Sequence, residues 1–219
     1  MSVITKRQIE AIIFDLDGTL VNSISDLTAA VNHVLEKRGR PGVAQEVVRT
    51  FVGDGLAKLL GRALKTDDAE AVRAAAEDFN PWYDAHCLDS TVLYDGVRET
   101  LDRFSSKQLA VISNKPGAFT RKILEGLGVS GRFELVWGPE SVRRMKPDPE
   151  SFVKAAGFLG VPPDLVCAVG DRSTDVVAGR NAGMMTVGVT CGIGDRMELE
   201  AAGPDVLIGN LRELENYIE

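Results

Sequence analysis

From Tyr94 to the C-terminus, short apolar runs alternate with segments of helical spacing, and this alternation constrains the fold more than any other feature. The runs are 108–113, 133–137, 164–170, 184–190 and 205–208. Helices are expected near 96–105, 116–127, 149–159, 173–182 and 210–218. A strand buried on both faces reads as a continuous apolar run. Joined by helices, such strands make βαβ units and a parallel sheet covered on both sides. The earlier run Ile9 to Asp15 reads as one more strand of that sheet.

Between that first strand and Tyr94 the pattern is helical throughout. Leu27, Ala30, Val31, Val34 and Leu35 form one stripe over Ser23 to Arg38. Ser23 with Asp26 resembles a capping box, and Gly39 and Pro41 stop the helix. Helical spacing continues through Val47, Val48 and Phe51, and resumes after Gly53-Asp54-Gly55 with Leu56, Leu59, Leu60, Ala63 and Leu64. Asp67 to Phe79 reads as a further helix, which Pro81 should break or kink. The expected architecture is α/β, with a core of 1–21 and 91–219 and an all-helical insert of 22–90.

With 219 residues and 44% apolar content, a core domain plus a small insert is affordable. The net charge of −7 argues against a nucleic-acid or anionic-membrane binder, since both need basic patches. A small anionic substrate needs only local positive charge. Cys87, Cys167 and Cys191 are too few and too scattered for a metal motif or a disulfide framework. Met1 to Glu10 lacks the apolar core of a signal peptide, and no apolar run reaches transmembrane length. A reduced, cytoplasmic enzyme is the expectation.

The first strand ends in Phe14-Asp15-Leu16-Asp17-Gly18-Thr19-Leu20. Asp15 and Asp17, two apart, can point the same way. Alone, such a segment is an ordinary turn. Three further motifs follow, in order, at strand ends: Ser113-Asn114-Lys115-Pro116, Lys146-Pro147, and Gly170-Asp171-Arg172-Ser173-Thr174-Asp175. In open α/β sheets, ligands bind at those ends. The ordered set resembles the haloacid dehalogenase-like phosphatase superfamily over nearly the whole chain. The resemblance implies a Rossmann-like core with a helical cap inserted just after the first motif, hinged near Val21 and Tyr94.

Phosphate ester hydrolysis needs a nucleophile, charge neutralisation, a proton for the leaving group and an activated water. Asp15 is the candidate nucleophile, forming an aspartyl-phosphate. Asp17 is the candidate general acid, then the base for water. A carboxyl ordinarily loses its proton near pH 4, so a donor there needs neighbouring carboxylates or desolvation. Ser113 and Asn114 can hydrogen-bond phosphoryl oxygens, and Lys146 supplies a point charge. Thr19 supports the loop or bonds the phosphate. Lys115, Arg143, Arg144 and Arg172 add positive field without a named role.

Oxygens converging from Asp15, Asp171 and Asp175 suit a hard cation, and Mg²⁺ is the usual partner of phosphate. The resemblance implies Mg²⁺ on Asp15, the Asp17 backbone carbonyl and Asp171, with Asp175 on the metal or behind it. Alternatively Asp175 is only a helix N-terminal acid.

Relatives that dehalogenate or transport ions lack an acid at the second position, so Asp17 favours phosphatases and phosphomutases. Leu20-Val21-Asn22-Ser23, Phe51-Val52-Gly53-Asp54-Gly55, Ser113-Asn114-Lys115-Pro116 and Thr190-Cys191-Gly192 look like phosphoglycolate phosphatases. Gly53, Asp54 and Gly55 would then approach the substrate from the cap. Two departures stand out: Asn22 replaces a common Asp, and Asp54 puts a carboxylate where it would repel that of 2-phosphoglycolate. Asp54 either points away, pairs with Lys58 or Arg62, or serves a different substrate. A sugar phosphomutase or a pyrophosphatase is the same-class alternative. A non-catalytic phosphate-binding protein is the remote one.

Overall fold

The computed structural model describes residues 6–219. The sequence expectation for Met1–Thr5 lies outside the described residues. Six strands form a wholly parallel sheet: β1 (Ala11–Phe14), β4 (Gln108–Ile112), β5 (Leu135–Trp137), β6 (Val166–Gly170), β7 (Met185–Val189) and β8 (Val206–Ile208). Two short strands, β2 (Val21–Asn22) and β3 (Val92–Leu93), pair separately as an antiparallel ribbon. The sheet order is β5-β4-β1-β6-β7-β8. The chain leaves β1 towards β4 and β5, then returns to the other side at β6. That reversal opens a crevice at the carboxyl end of β1, between β4 and β6.

Alternate residues of the strands feed two cores. Ala11, Ile13, Ala110, Ile112 and Ala168 pack with Phe152 and Ala178 on one face. The helices there are α7 (Glu150–Leu159) and α8 (Ser173–Asn181), and their small partners let them lie close to the sheet. Ile12, Phe14, Leu109, Val111, Cys167 and Val169 face the other core. That core is covered by α5 (Val97–Arg103), α6 (Gly117–Gly126) and the C-terminal residues Leu211 and Leu214, while α9 (Arg196–Ala202) packs beside α8.

Four helices stand between β2 and β3: α1 (Ile24–Glu36), α2 (Gln45–Arg49), α3 (Leu56–Leu64) and α4 (Ala69–His86). They pack through Leu27, Val31, Val34, Leu60, Ala75 and Phe79, all buried. Both connections to the sheet run through the β2–β3 ribbon, with Tyr94 N–H donating to Leu20 O at 3.0 Å. No helix among the described residues is long and apolar enough to cross a membrane.

The fold departs locally from the sequence expectations. The capping box at Ser23 does not form: the hydroxyl donates to Asp17, while Asp26 accepts from Ser90 N, Thr91 N and Thr91 Oγ1 on the returning connection. Helix α4 runs through Pro81 instead of ending there. Pro81 removes one helical donor, but Phe79 and Tyr83 are buried on either side and stack at 5.2 Å between ring centroids. The segment expected to be a helix at 210–218 is a 3-10 turn from Leu211 to Asn216. The short α9 and the β2–β3 ribbon carry too few residues for a readable period.

Candidate active site

Strand β1 delivers Asp15 to the crevice, its N–H bonded to Val169 O of β6 at 2.9 Å. The chain then turns at Gly18, whose φ is +99°. A Cβ there would lie 2.0 Å from Asp171 Oδ2, so only glycine lets this turn sit against the β6 motif. Gly170 ends β6 and leads straight into Asp171.

Lys146 reaches in from the loop before α7. Its Nζ donates to Asp15 Oδ1 at 2.7 Å, Asp175 Oδ1 at 2.6 Å and Ile112 O at 2.8 Å. All three protons are spent on short bonds. Asp175 Oδ2 accepts from Arg172 N at 3.1 Å, closing the start of α8. Asp175 is thus a helix-capping acid and an anchor for Lys146 at once. Asp171 Oδ2 accepts from Gly194 N at 2.7 Å, and Thr19 Oγ1 lies 3.4 Å from Oδ1.

Asp15, Asp171 and Asp175 each bring a carboxylate oxygen within 4.8 Å of the others, and all three are buried. Burial pushes the Asp15 carboxyl up to about 6, with Lys146 opposing and Asp175 and Asp17 adding to the rise. Burial, then Asp15 and Asp175, push Asp171 up to about 7. One lysine does not balance three carboxylates. The all-oxygen donor set and the uncompensated negative charge fit a hard divalent cation.

Asp17 faces the opposite way, towards the helical insert. Ser23 Oγ donates to its Oδ1 at 2.5 Å, and Lys115 Nζ sits 3.1 Å from both of its oxygens. The same ammonium donates to Tyr83 Oη of α4 at 2.8 Å. Burial lowers the proton affinity of Lys115, but Asp17 and Tyr83 outweigh it and hold the group above the usual lysine range.

These groups surround a cavity of about 50 Å³ between the sheet and the helical insert. Asp15, Asp17, Ser113, Asn114, Lys146 and Asp175 all line it, as do Gly53 and Gly55. Ser113 accepts from Lys115 N at 3.3 Å. The Asn114 amide is committed: Nδ2 donates to Gly53 O at 2.9 Å and Lys146 O at 3.1 Å, and Oδ1 accepts from Lys146 N at 3.2 Å. It struts the insert's loop against the core. Thr19 is buried behind Asp171 and is absent from the lining. Asp54 is also absent from the lining; its Oδ2 pairs with Arg62 at 2.5 Å.

The model of the haloacid dehalogenase-like hydrolase family matches residues 12–189, from β1 through β7. The chain belongs to the haloacid dehalogenase-like hydrolase family. A phosphoglycolate phosphatase of Pseudomonas putida is 38% identical over 213 residues, covering 93% of this chain and 77% of that one. One of Haemophilus influenzae is 34% identical over 217 residues, covering 94% and 97%. A crystal structure from Haemophilus somnus, named a predicted phosphoglycolate phosphatase, superposes with a TM-score of 0.90 at 29% identity, covering 95% and 97%.

In this haloacid dehalogenase-like hydrolase, the sequence reading left four contributors to the site without a role. Ser23 and Tyr83 carried no signal beyond a helix cap and an aromatic in a helix. Lys115 follows the Ser113-Asn114 turn, and its adjacency to that motif was the available clue. Arg49 ties the insert to the core by donating to Ile193 O at 2.9 Å and to Gly192 O. A Cβ on Gly192 would lie 2.3 Å from Gly18 O, which explains a glycine in the Thr190-Cys191-Gly192 segment.

Proposed function

We propose that this phosphoric monoester hydrolase cleaves 2-phosphoglycolate, with Asp15 as nucleophile and Mg²⁺ as cofactor. The observation that carries the reading is the Asp15 carboxylate, held by Lys146 at 2.7 Å within a buried acidic triad and turned to a small, capped cavity. Asp15 attacks phosphorus, the ester P–O bond breaks, and Asp17 gives its proton to the departing glycolate oxygen. Water then attacks the aspartyl-phosphate, Asp17 takes its proton, and the Asp15–phosphorus bond breaks to release phosphate. Lys146 and the Ser113 hydroxyl stabilise the phosphoryl oxygens in both steps. Asp15, Asp171 and the Asp17 carbonyl would hold Mg²⁺, with Asp175 behind them orienting Lys146. When bound, the ion neutralises carboxylate and phosphoryl charge.

Residues 22–90 act as the cap, closing over the site on the β2–β3 ribbon. The cavity supports a small substrate. A cavity of about 50 Å³ under an apolar roof favours a compact leaving group over a hexose. The names of the relatives point the same way. The net charge of −7 and three free cysteines fit a reduced, cytoplasmic enzyme without nucleic-acid or membrane partners.

The test is phosphate release from a panel of phosphorylated metabolites with Mg²⁺. The highest kcat/KM is expected for 2-phosphoglycolate. A higher kcat/KM for a sugar phosphate, or formation of an isomer without free phosphate, overturns the assignment.

A further inference from the structure

The roof of the cavity is apolar, formed by Leu27, Val52, Leu56, Leu59 and Phe79, and Tyr83 is the single polar side chain the cap helices add to it. Tyr83 Oη accepts from Lys115, and among the described residues its own proton has no acceptor. The ring is wholly buried, so that proton has no bulk water to turn to.

Lys115 differs from Lys146 in how its protons are held. The three Lys146 bonds are 2.6–2.8 Å long. The two Lys115 contacts to Asp17 are 3.1 Å each, longer than a charge-assisted bond prefers. An ammonium straddling one carboxylate can give up one of those oxygens to a second anion. Arg172, the other cation in the lining, is turned to the cap backbone, donating to Arg49 O at 3.0 Å.

Position completes the case. To protonate the leaving group, the Asp17 carboxyl must come within about 2.6–3.2 Å of the ester oxygen. Lys115 Nζ is 3.1 Å from that carboxyl, on its cap side beside Tyr83. A charged group one methylene beyond the ester oxygen falls within reach of both donors.

We propose that Lys115 and Tyr83 form the subsite for a carboxylate on the leaving group, the ammonium and the phenolic hydroxyl each donating to it. The proposal rests on the phosphatase reading above and names how this chain selects a small acid-tailed ester. Lys115 then bridges the substrate's carboxylate and Asp17, which holds the proton for the leaving group. A neutral tail leaves the Tyr83 proton unanswered.

The test is calorimetric binding of two unreactive ligands to the Mg²⁺-loaded enzyme. In 3-phosphonopropionate a methylene replaces the ester oxygen of 2-phosphoglycolate, and propylphosphonate lacks the carboxylate. Wild type should bind the first at least about tenfold more tightly. Lys115→Gln should erase most of that preference, and Tyr83→Phe should cut it about threefold or more, with propylphosphonate binding within about twofold of wild type in both. Tyr83→Phe keeps the ring, so it reads the subsite even where Lys115→Gln folds poorly. Equal weakening of both ligands, an intact preference in Tyr83→Phe, or loss of preference in Arg172→Gln but not in Lys115→Gln overturns the proposal. Failure to hydrolyse 2-phosphoglycolate alongside a Lys115-dependent preference removes the substrate assignment and leaves the subsite, serving another acid-tailed phosphate ester.

Discussion

The floor of the cavity binds its charges to one another, whereas the roof offers almost none. On the floor, Lys146 ties Asp15 to Asp175 and spends every proton, and Asp171, outside the lining, completes the buried acidic triad. In the roof, hydrocarbon from α1, α3 and α4 surrounds one hydroxyl. The floor is fixed by backbone: strand ends, the Gly18 turn and the start of α8. The roof is held by a few struts, Asn114 to Gly53 O, Arg49 to Ile193 O and Arg172 to Arg49 O. Phosphoryl chemistry is common to many substrates and suits the rigid part. On the proposed reading, selection of a leaving group falls to the roof.

The comparison is broken most forcefully at the floor. Asp15→Asn keeps the shape and removes the nucleophile, so kcat should fall by at least about 10⁴-fold, as nucleophile removal does elsewhere. Beryllium fluoride should bind wild type and not the variant, seen by fluorine NMR. Residual turnover above about one per cent of wild type would take the covalent step away from Asp15.

Metal removal should come next. EDTA is expected to abolish turnover and Mg²⁺ to restore it. The raised carboxyls also set a pH dependence. Asp15 and Asp171 hold protons more tightly folded than unfolded, so the metal-free protein should lose stability as pH rises from about 4 to about 7. Below that window both states are protonated and the penalty vanishes. Mg²⁺ competes with those protons, so its stabilising shift in Tm should be largest above pH 7 and fade below pH 6. Asp171→Asn should raise the metal-free Tm at pH 8, by roughly 2–4 °C per kcal/mol of repulsion relieved, while losing the Mg²⁺ shift. A Mg²⁺ shift independent of pH would separate these carboxyls from the metal.

A smaller effect is expected at the junction of floor and roof. Gly53 has φ +116°, and a Cβ there would meet Arg172 Cδ at 2.4 Å. Gly53→Ala should unseat the cap loop and lower kcat/KM by about 10–100-fold, a cost typical of misplacing groups by an ångström. The Mg²⁺ shift in Tm should survive, because no triad carboxylate moves. Loss of both together would mean that floor and roof are one rigid unit.

The same division decided what the sequence revealed. All six strands of the sheet were legible because each is a continuous apolar run punctuated by turn residues, and the floor residues sit at their ends. The helices of the insert were legible from their stripes. The Asp17–Lys115–Tyr83 contact was not, since it joins a turn after β1, a turn after β4 and the far end of α4. No local period records such a meeting. Pro81 misled for the opposite reason: its local rule is sound, but the burial of Phe79 and Tyr83 outweighs one lost backbone bond. Ser23 likewise reads as a cap locally and serves Asp17 across space.

The smallest expected effect is at Asp54, where family resemblance and local charge pulled apart. A carboxylate on the loop between Gly53 and Gly55 would repel an acid-tailed substrate if it faced the cavity. Its side chain is instead about one-third exposed, outside the lining, and paired with Arg62 at 2.5 Å. Arg62 also donates to Phe51 O at 3.0 Å, so the cation stays in place when the acid is neutralised. Exposed pairs of this kind contribute about 0–1 kcal/mol. Asp54→Asn should therefore shift Tm by no more than about 2–4 °C and change kcat/KM for 2-phosphoglycolate by less than about threefold, on the scale of a surface pair. Ethyl phosphate, which lacks the carboxylate, should respond in the same proportion. A gain of about tenfold for 2-phosphoglycolate alone would place the Asp54 charge at the substrate. The roof would then carry a repulsive group as well as Tyr83, and selection would work by exclusion as much as by attraction.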